Sequence, residues 1–214
     1  MTNHRTYQTL SIFDADPVAV GSDGLEWVPV RRRLGIAAFG VNAYRAVRSG
    51  DTVIEDHVES PGQEELYVVI KGGARFTIDE ESVDAAHGTG VFVAEPDVRR
   101  RAVAMEDGTV VLAIGGWPGQ AYHSLPWEPI YVAQAAMREG DWASAADTLE
   151  REAGEHRDTA IIRFRLACCY ARLGEDESAL EELRAAIEVN PEVRVRAEQE
   201  GAFEALRRRE DWPR

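Results

Sequence analysis

The apolar residues of this chain change their period near residue 120, so its two halves must fold by different rules. From about Trp27 to Gly116, short runs rich in β-branched and aromatic residues are separated by turn residues. The turns are Ser49-Gly50-Asp51, Ser60-Pro61-Gly62, Lys71-Gly72-Gly73 and Asp79-Glu80-Glu81. Between and after them lie Gly35 to Val47, Val53 to Glu59, Leu66 to Ile70, Ala74 to Ile78, Val83, Val91 to Val93, Arg101 to Ala104 and Thr109 to Ile114. Many short strands with Gly-rich turns predict an antiparallel sandwich or barrel. From Trp127 onward the spacing is helical.

The helical half repeats itself at an offset of 34 residues: Gly140-Asp141-Trp142-Ala143-Ser144-Ala145 matches Gly174-Glu175-Asp176-Glu177-Ser178-Ala179. The same shift places Ala133 on Ala167, Ala136 on Tyr170 and Leu149 on Leu183. Small residues let paired helices approach, and the leucines fill the space between them. The pattern resembles the tetratricopeptide repeat, a helix-turn-helix unit of that length. Asn190-Pro191 closes the second repeat as that family's repeats usually close, whereas Arg157 stands at the matching place in the first. Glu198 to Arg209, with Phe203 and Leu206 as apolar points, is expected to form a final amphipathic helix covering the open end.

The Gly- and Pro-rich stretch from Gly115 to Pro129 marks the boundary, and its two tryptophans predict that it packs. The expected division is a barrel over 1–120, a linker over 121–126 and helices over 127–214, with repeats 127–159 and 160–193. The fold class is therefore α+β multidomain: an antiparallel β jelly-roll barrel followed by a short all-α array.

Composition narrows the function. A chain of 214 residues with 44% hydrophobic and 29% charged content is an ordinary globular balance, and no apolar run is long enough to span a bilayer. Met1-Thr2-Asn3-His4-Arg5 lacks the basic-then-apolar pattern of a secretory signal. The only two cysteines, Cys168 and Cys169, are adjacent in a helical pattern and make poor disulfide partners. A cytoplasmic location with reduced thiols is expected. The formal net charge of −14 argues against a general nucleic-acid binder. Five scattered histidines and no Cys-x-x-Cys exclude a His-rich or Cys-rich zinc site.

The chemistry concentrates around His57-Val58-Glu59 and Glu64 to Gly73. Alternation groups Glu55, His57 and Glu59 on one face of their strand, and Glu65, Tyr67 and Val69 on one face of the next. Polar faces meeting across a hairpin would bring one imidazole and several carboxylates into the barrel, a setting for a divalent metal or a small polar ligand.

This stretch resembles the first motif of the cupin superfamily, in which Gly precedes His-x-His, then Glu, then Gly. Glu65 and Gly72 keep the last spacing, Tyr67 and Gly73 also fit, and His57 stands for the first histidine. Glu59 replaces the second, and the interval to Glu65 holds one residue more than the family's. In the second motif, Gly90 to Arg100 occupies the place of Gly, strand, Pro-x-Gly and the last ligand histidine, with Arg99 or Arg100 where that histidine belongs. Together with Arg32 to Ile36, Val98 to Arg101 and Gly115 to Gly119, these segments resemble bacterial proteins that join a cupin-like barrel to tetratricopeptide-like helices. The superfamily hosts enzymes, metal binders and sugar-binding regulators alike, and its barrels often pair, which implies a homodimer.

His57, Glu59 and Glu65 are candidate ligands for Fe, Mn or Zn; the plainer alternative is a hydrogen-bonded interior histidine. Arg100 either clamps an anion or pairs with Glu65. Arg31-Arg32-Arg33 reads as a solvated strand edge, His87 as a turn residue, and Trp142 as a packing residue between helices. The resulting expectation is a non-catalytic barrel binding a small anionic ligand or a metal through His57, Glu65, Tyr67 and Arg100. Its helical tail would dock on the barrel, a second subunit or a protein partner. The rival is a metal-dependent oxygenase, isomerase or lyase in which His57, Glu59 and Glu65 hold the metal and Tyr67 supplies a proton. A third reading makes the repeats the active part and the barrel a dimerisation platform.

Overall fold

The computed structural model describes residues 7–20, 24–123, 125–153 and 159–213. The chain divides into two compact units, Met1–Ser124 and Leu125–Arg214.

Among the described residues of the first unit, ten strands form two antiparallel sheets: β1 (Val18–Val20), β2 (Leu25–Val28), β3 (Gly40–Ala46), β4 (Thr52–His57), β5 (Glu64–Lys71), β6 (Gly73–Ile78), β7 (Glu81–Ala86), β8 (Gly90–Val93), β9 (Arg100–Ala104) and β10 (Val110–Gly116). One sheet runs β1-β2-β3-β10-β5-β8 and the other β4-β9-β6-β7. The non-consecutive neighbours are the crossovers of a jelly roll, in which strands alternate between two stacked sheets. Alternation along each strand supplies the inner faces. On β9 the burial alternates strictly, with Arg100, Ala102 and Ala104 inward and Arg101 and Val103 outward. Val53, Ile54, Tyr67, Val69, Phe76, Ala102, Val111 and Ala113 make up much of the core between the sheets. A second apolar layer lies on the other face of the larger sheet, where Val28, Val41, Ala43 and Val110 are packed by Leu10, Ile12, Leu34 and Ile36.

The β5–β6 hairpin turns at Gly72, whose φ of 70° and 2.6 Å approach of an added Cβ to Thr109 Oγ1 leave room for glycine alone. Arg31-Arg32-Arg33 does not form a strand edge. Those residues lie in a short helix, α1 (Val30–Leu34), because left-handed Gly35 donates its N–H back to the Arg31 and Arg32 carbonyls and closes the turn. Arg31 lies over the Tyr122 ring, 5.2 Å from its centroid.

The second unit contains α2 (Trp127–Arg138), α3 (Trp142–Ala153), α4 (Ala160–Leu173), α5 (Asp176–Val189) and α6 (Val193–Gln199), and consecutive members of α2 to α5 pack on each other. Gly140 and Gly174, 34 residues apart, share a φ of 79° at the turns into α3 and α5. Ala133 and Ala167, Ala145 and Ala179, and Leu149 and Leu183 are all buried. The matching of Arg157 to Pro191 lies outside the described residues. The expected single helix over 198–209 is replaced by α6 and two single 3₁₀ turns, Gly201–Phe203 and Leu206–Arg208. Glu200 is extended there and its carboxylate accepts from the Ala202 N–H, which breaks the helix just before Gly201. Phe203 and Leu206 are nevertheless buried against α4 and α5 residues.

Candidate functional site

Strand parity on the larger sheet sets one wall of the barrel interior. Tyr67 and Glu65 of β5 lie opposite Ala113 and Gly115 of β10, which lie opposite Asn42 and Gly40 of β3. These residues share the inner face with Val91 and Val93 of β8. The opposing wall is the β4–β9 pair, where His57 sits directly across from Arg100.

The β4 strand does not alternate as its sequence predicts. Register shifts between Thr52 and Ile54, and again between Ile54 and His57, interrupt its pairing with β9. Val53 and Ile54 are consequently both buried, while Glu55 and Asp56 both face solvent. Glu55 thus leaves the face assigned to it. What it contributes is its carbonyl, 2.8 Å from His57 Nδ1.

That bond fixes the imidazole. With the Nδ1 proton given to the Glu55 carbonyl, Nε2 is aimed at the carboxylates, 3.3 Å from Glu59 Oε1 and 3.7 Å from Glu65 Oε2. Tyr67 Oη lies 3.3 Å from the same nitrogen, and its hydroxyl donates to Glu65 Oε2. His57, Glu59, Glu65 and Tyr67, expected together, are brought together.

Their charges are interdependent. Burial works against the imidazolium, but hydrogen bonds to Glu59, Glu65 and the Glu55 carbonyl outweigh it and raise the His57 pKa to about 10. Burial likewise opposes ionisation of Glu59, yet its bonds to His57 and Glu65 and the nearby Arg100 charge hold it below the ordinary carboxylate value. Glu65 moves the other way: burial and the Glu59 charge raise it despite His57. Burial and Glu65 push the Tyr67 phenol well above its usual value. The pair therefore divides into an ionised Glu59 and a Glu65 that holds a proton more readily, the usual outcome for two carboxyls in one site.

Arg100 is inward, as expected, and only 1% exposed. Its Nη2 donates to the Glu95 carbonyl at 2.9 Å, while Nε and Nη1 have no hydrogen-bond partner. The alternative of a direct ion pair with Glu65 is not formed among the described residues, since the ion pairs of Glu65 and Glu59 are both with His57. Arg99 points outward instead and pairs with exposed Asp56. Two interior residues escaped the sequence reading, buried Asn42 and Gln63, whose Oδ1 and Oε1 have no partner. Alternation with Tyr44 and Ala46 was the available signal for Asn42; Gln63 lies in the turn before β5, where periodicity carries no information.

The donor set is that of a divalent-cation site, slightly more open than a closed shell. Ligand atoms around a metal with bonds of about 2.0–2.2 Å sit roughly 3–3.5 Å apart; here Nε2 lies 3.3 and 3.7 Å from the Glu59 and Glu65 oxygens, and one ligand atom from each residue lies within 4.8 Å of the others. A histidine whose other nitrogen is tied to a carbonyl is the usual form of a metal ligand. Bound there, a cation would supply Lewis-acid polarisation of a ligand oxygen.

Two stacked antiparallel sheets with a polar cluster between them define a jelly-roll barrel with an interior site. The structural neighbours are cupin proteins. A cupin protein from Bacteroides fragilis is 22% identical and covers 56% of this chain and 92% of its own, with a TM-score of 0.39. The cupin domain of Schizosaccharomyces pombe Cnp3 is 7% identical, covering 51% and 73%, with a TM-score of 0.41. A sugar phosphate isomerase of the cupin superfamily from Silicibacter pomeroyi is 20% identical, covering 44% and 59%, with a TM-score of 0.38. No family model and no curated protein matches the chain. No helix among the described residues is long and apolar enough to cross a membrane.

Proposed function

We propose that the barrel is a small-ligand-binding module built around a divalent metal held by His57, Glu59 and Glu65, with Tyr67 and Arg100 completing the ligand site. The observation that carries this reading is the convergence of one imidazole nitrogen and two carboxylates within 4.8 Å, with the imidazole locked by a carbonyl. One nitrogen among oxygen donors suits Mn or Fe(II) better than Zn. The second reading, a metal-dependent enzyme, draws on Tyr67, whose hydroxyl lies beside both His57 and Glu65 and could pass a proton within the site. In either reading the helical unit serves as two tetratricopeptide-like repeats for docking, supported by the matched turns at Gly140 and Gly174 and the matched buried positions 34 residues apart. Homodimerisation of the barrel and a cytoplasmic setting complete the proposal.

Elemental analysis of protein purified without a metal-binding tag tests it, alongside a His57→Ala variant. Near-stoichiometric Mn or Fe lost in the variant supports the reading. No metal in either protein, even after reloading, overturns it.

A further inference from the structure

Glu59 is the one member of the cluster that no strand carries. β4 ends at His57 and β5 begins at Glu64, so this carboxylate stands in the connecting loop. Its place depends on what holds that loop, and two tethers do. On one side the Glu59 N–H donates to the Pro96 carbonyl at 2.8 Å. On the other the chain reverses through Ser60-Pro61-Gly62-Gln63. There the Gln63 N–H donates to the Ser60 carbonyl at 3.0 Å, and Gly62 has a φ of 79°. Proline at the second position and a left-handed glycine at the third define a type II turn.

That turn has a weak point. Type II differs from type I by a flip of the central peptide, here Pro61–Gly62, and the Ser60–Gln63 bond is compatible with both. The Pro61 carbonyl is the group that would turn over. Trp117, the first residue after β10, engages it: the indole Nε1–H donates to the Pro61 carbonyl at 3.2 Å. Its Cδ1 also lies 3.8 Å from the point a Cβ on Gly62 would occupy. The indole is itself fixed. It is buried, stacked on the His123 ring at 4.0 Å between centroids, and packed on Tyr122 at 5.8 Å. Strand pairing anchors its backbone beside the loop, since Gly116 pairs with Glu64.

We propose that Trp117 is a positioning residue of the metal site: its N–H locks the Pro61–Gly62 peptide and thereby holds Glu59 in reach of His57 Nε2. The inference rests on the metal reading and says what sets the geometry of its least anchored ligand. A loop already ordered in the metal-free chain leaves less conformational entropy to oppose binding. By linkage, the metal strengthens the turn as much as the turn strengthens the metal site.

Mn(II) titration of the full chain, read by electron paramagnetic resonance of the free ion, tests this in wild type, Trp117→Phe and Gly72→Ala. Phe keeps an aromatic ring and removes the donor. Gly72→Ala strains the hairpin at the opposite end of β5 and controls for stability alone. Trp117→Phe should weaken Mn(II) binding about three- to tenfold, the worth of one neutral hydrogen bond. Gly72→Ala should stay within about twofold of wild type, as expected of a distant site. Mn(II) should also slow amide exchange across residues 59–63 in wild type and far less in Trp117→Phe, a readout that a merely structural tryptophan would not move. Equal affinity in wild type and Trp117→Phe, or an equal loss in Gly72→Ala, overturns the inference and leaves the metal reading standing. Wild-type protein that binds no Mn(II) overturns both. If Trp117→Phe does not fold, Gly62→Ala decides, because it strains the same turn at its left-handed residue. It should weaken Mn(II) binding by a similar factor, and unchanged affinity overturns the inference.

Discussion

Metal binding to this site should displace a proton from His57, and the cost follows from the cluster itself. In the metal-free barrel the imidazolium is the cation between Glu59 and Glu65, which together with the Glu55 carbonyl hold its pKa at about 10. A metal needs the Nε2 lone pair, so the proton must leave first. At about pH 7 that gap is roughly three units, each worth about 1.4 kcal/mol. The imidazole side chain is 32% exposed, and water screens part of the interaction; about 2–4 kcal/mol remains after that discount. Apparent Mn(II) affinity should therefore rise with pH, close to tenfold per unit, between about pH 7 and the His57 value. Titration calorimetry in two buffers of different ionisation enthalpy reads this directly: at least about one proton should leave per metal bound, with any further release coming from Glu65. Affinity flat across the window, with no proton released, would refute the reasoning, because the metal would then not be using the nitrogen that faces Glu59 and Glu65.

Other consequences follow from the same interior. A group whose folded pKa is raised contributes stability that is fully present below its unfolded value of 6.5 and is lost as pH climbs through its folded value of about 10. Metal-depleted protein should thus lose stability to urea across that window, and His57→Ala should flatten the profile; an unchanged slope in the variant contradicts the charge assignment. Arg100→Met should raise the melting temperature of the ligand-free barrel. Two unpartnered buried nitrogens cost about 1–3 kcal/mol each, against about 1.5–3 for the lost bond to Glu95, a mid-range net gain of about 2 kcal/mol. A lower melting temperature would mean that the guanidinium is paired in solution. Gly72→Ala should cost about 1–3 kcal/mol in denaturant melts, since it forces a left-handed residue and sets a Cβ 2.6 Å from Thr109 Oγ1; a neutral result would show that the hairpin relaxes freely.

How much of this was legible in the sequence depended on whether a strand kept its period. On β5, strict alternation put Glu65, Tyr67 and Val69 on one face, and the structure agrees because its pairing with β10 stays in register from Val111 to Gly116. Arg100 was expected inward from its place in the second motif rather than from periodicity, and the alternating burial of β9 agrees. On β4 alternation failed, because the register shifts against β9 reset the parity and sent Glu55 outward while keeping His57 in the site. Periodicity is blind to a bulge, since the extra residue changes nothing in composition. Asn42 could have been found by parity with Tyr44 and Ala46, but polarity alone marks it as surface. In the helical unit, Phe203 and Leu206 were correctly apolar points of contact. Their spacing fits two short turns as well as a helix, and the Glu200 cap on Ala202 decided between them.

The central claim is that a divalent cation sits between His57 Nε2, Glu59 and Glu65. A crystal of the full chain grown with Mn(II), with anomalous data collected on both sides of the manganese edge, measures this most directly. The account predicts one anomalous peak inside the barrel, about 2.0–2.3 Å from Nε2 and from an oxygen of each carboxylate. Density for an imidazolium still bonded to Glu59, with no anomalous peak between the three residues, would contradict it.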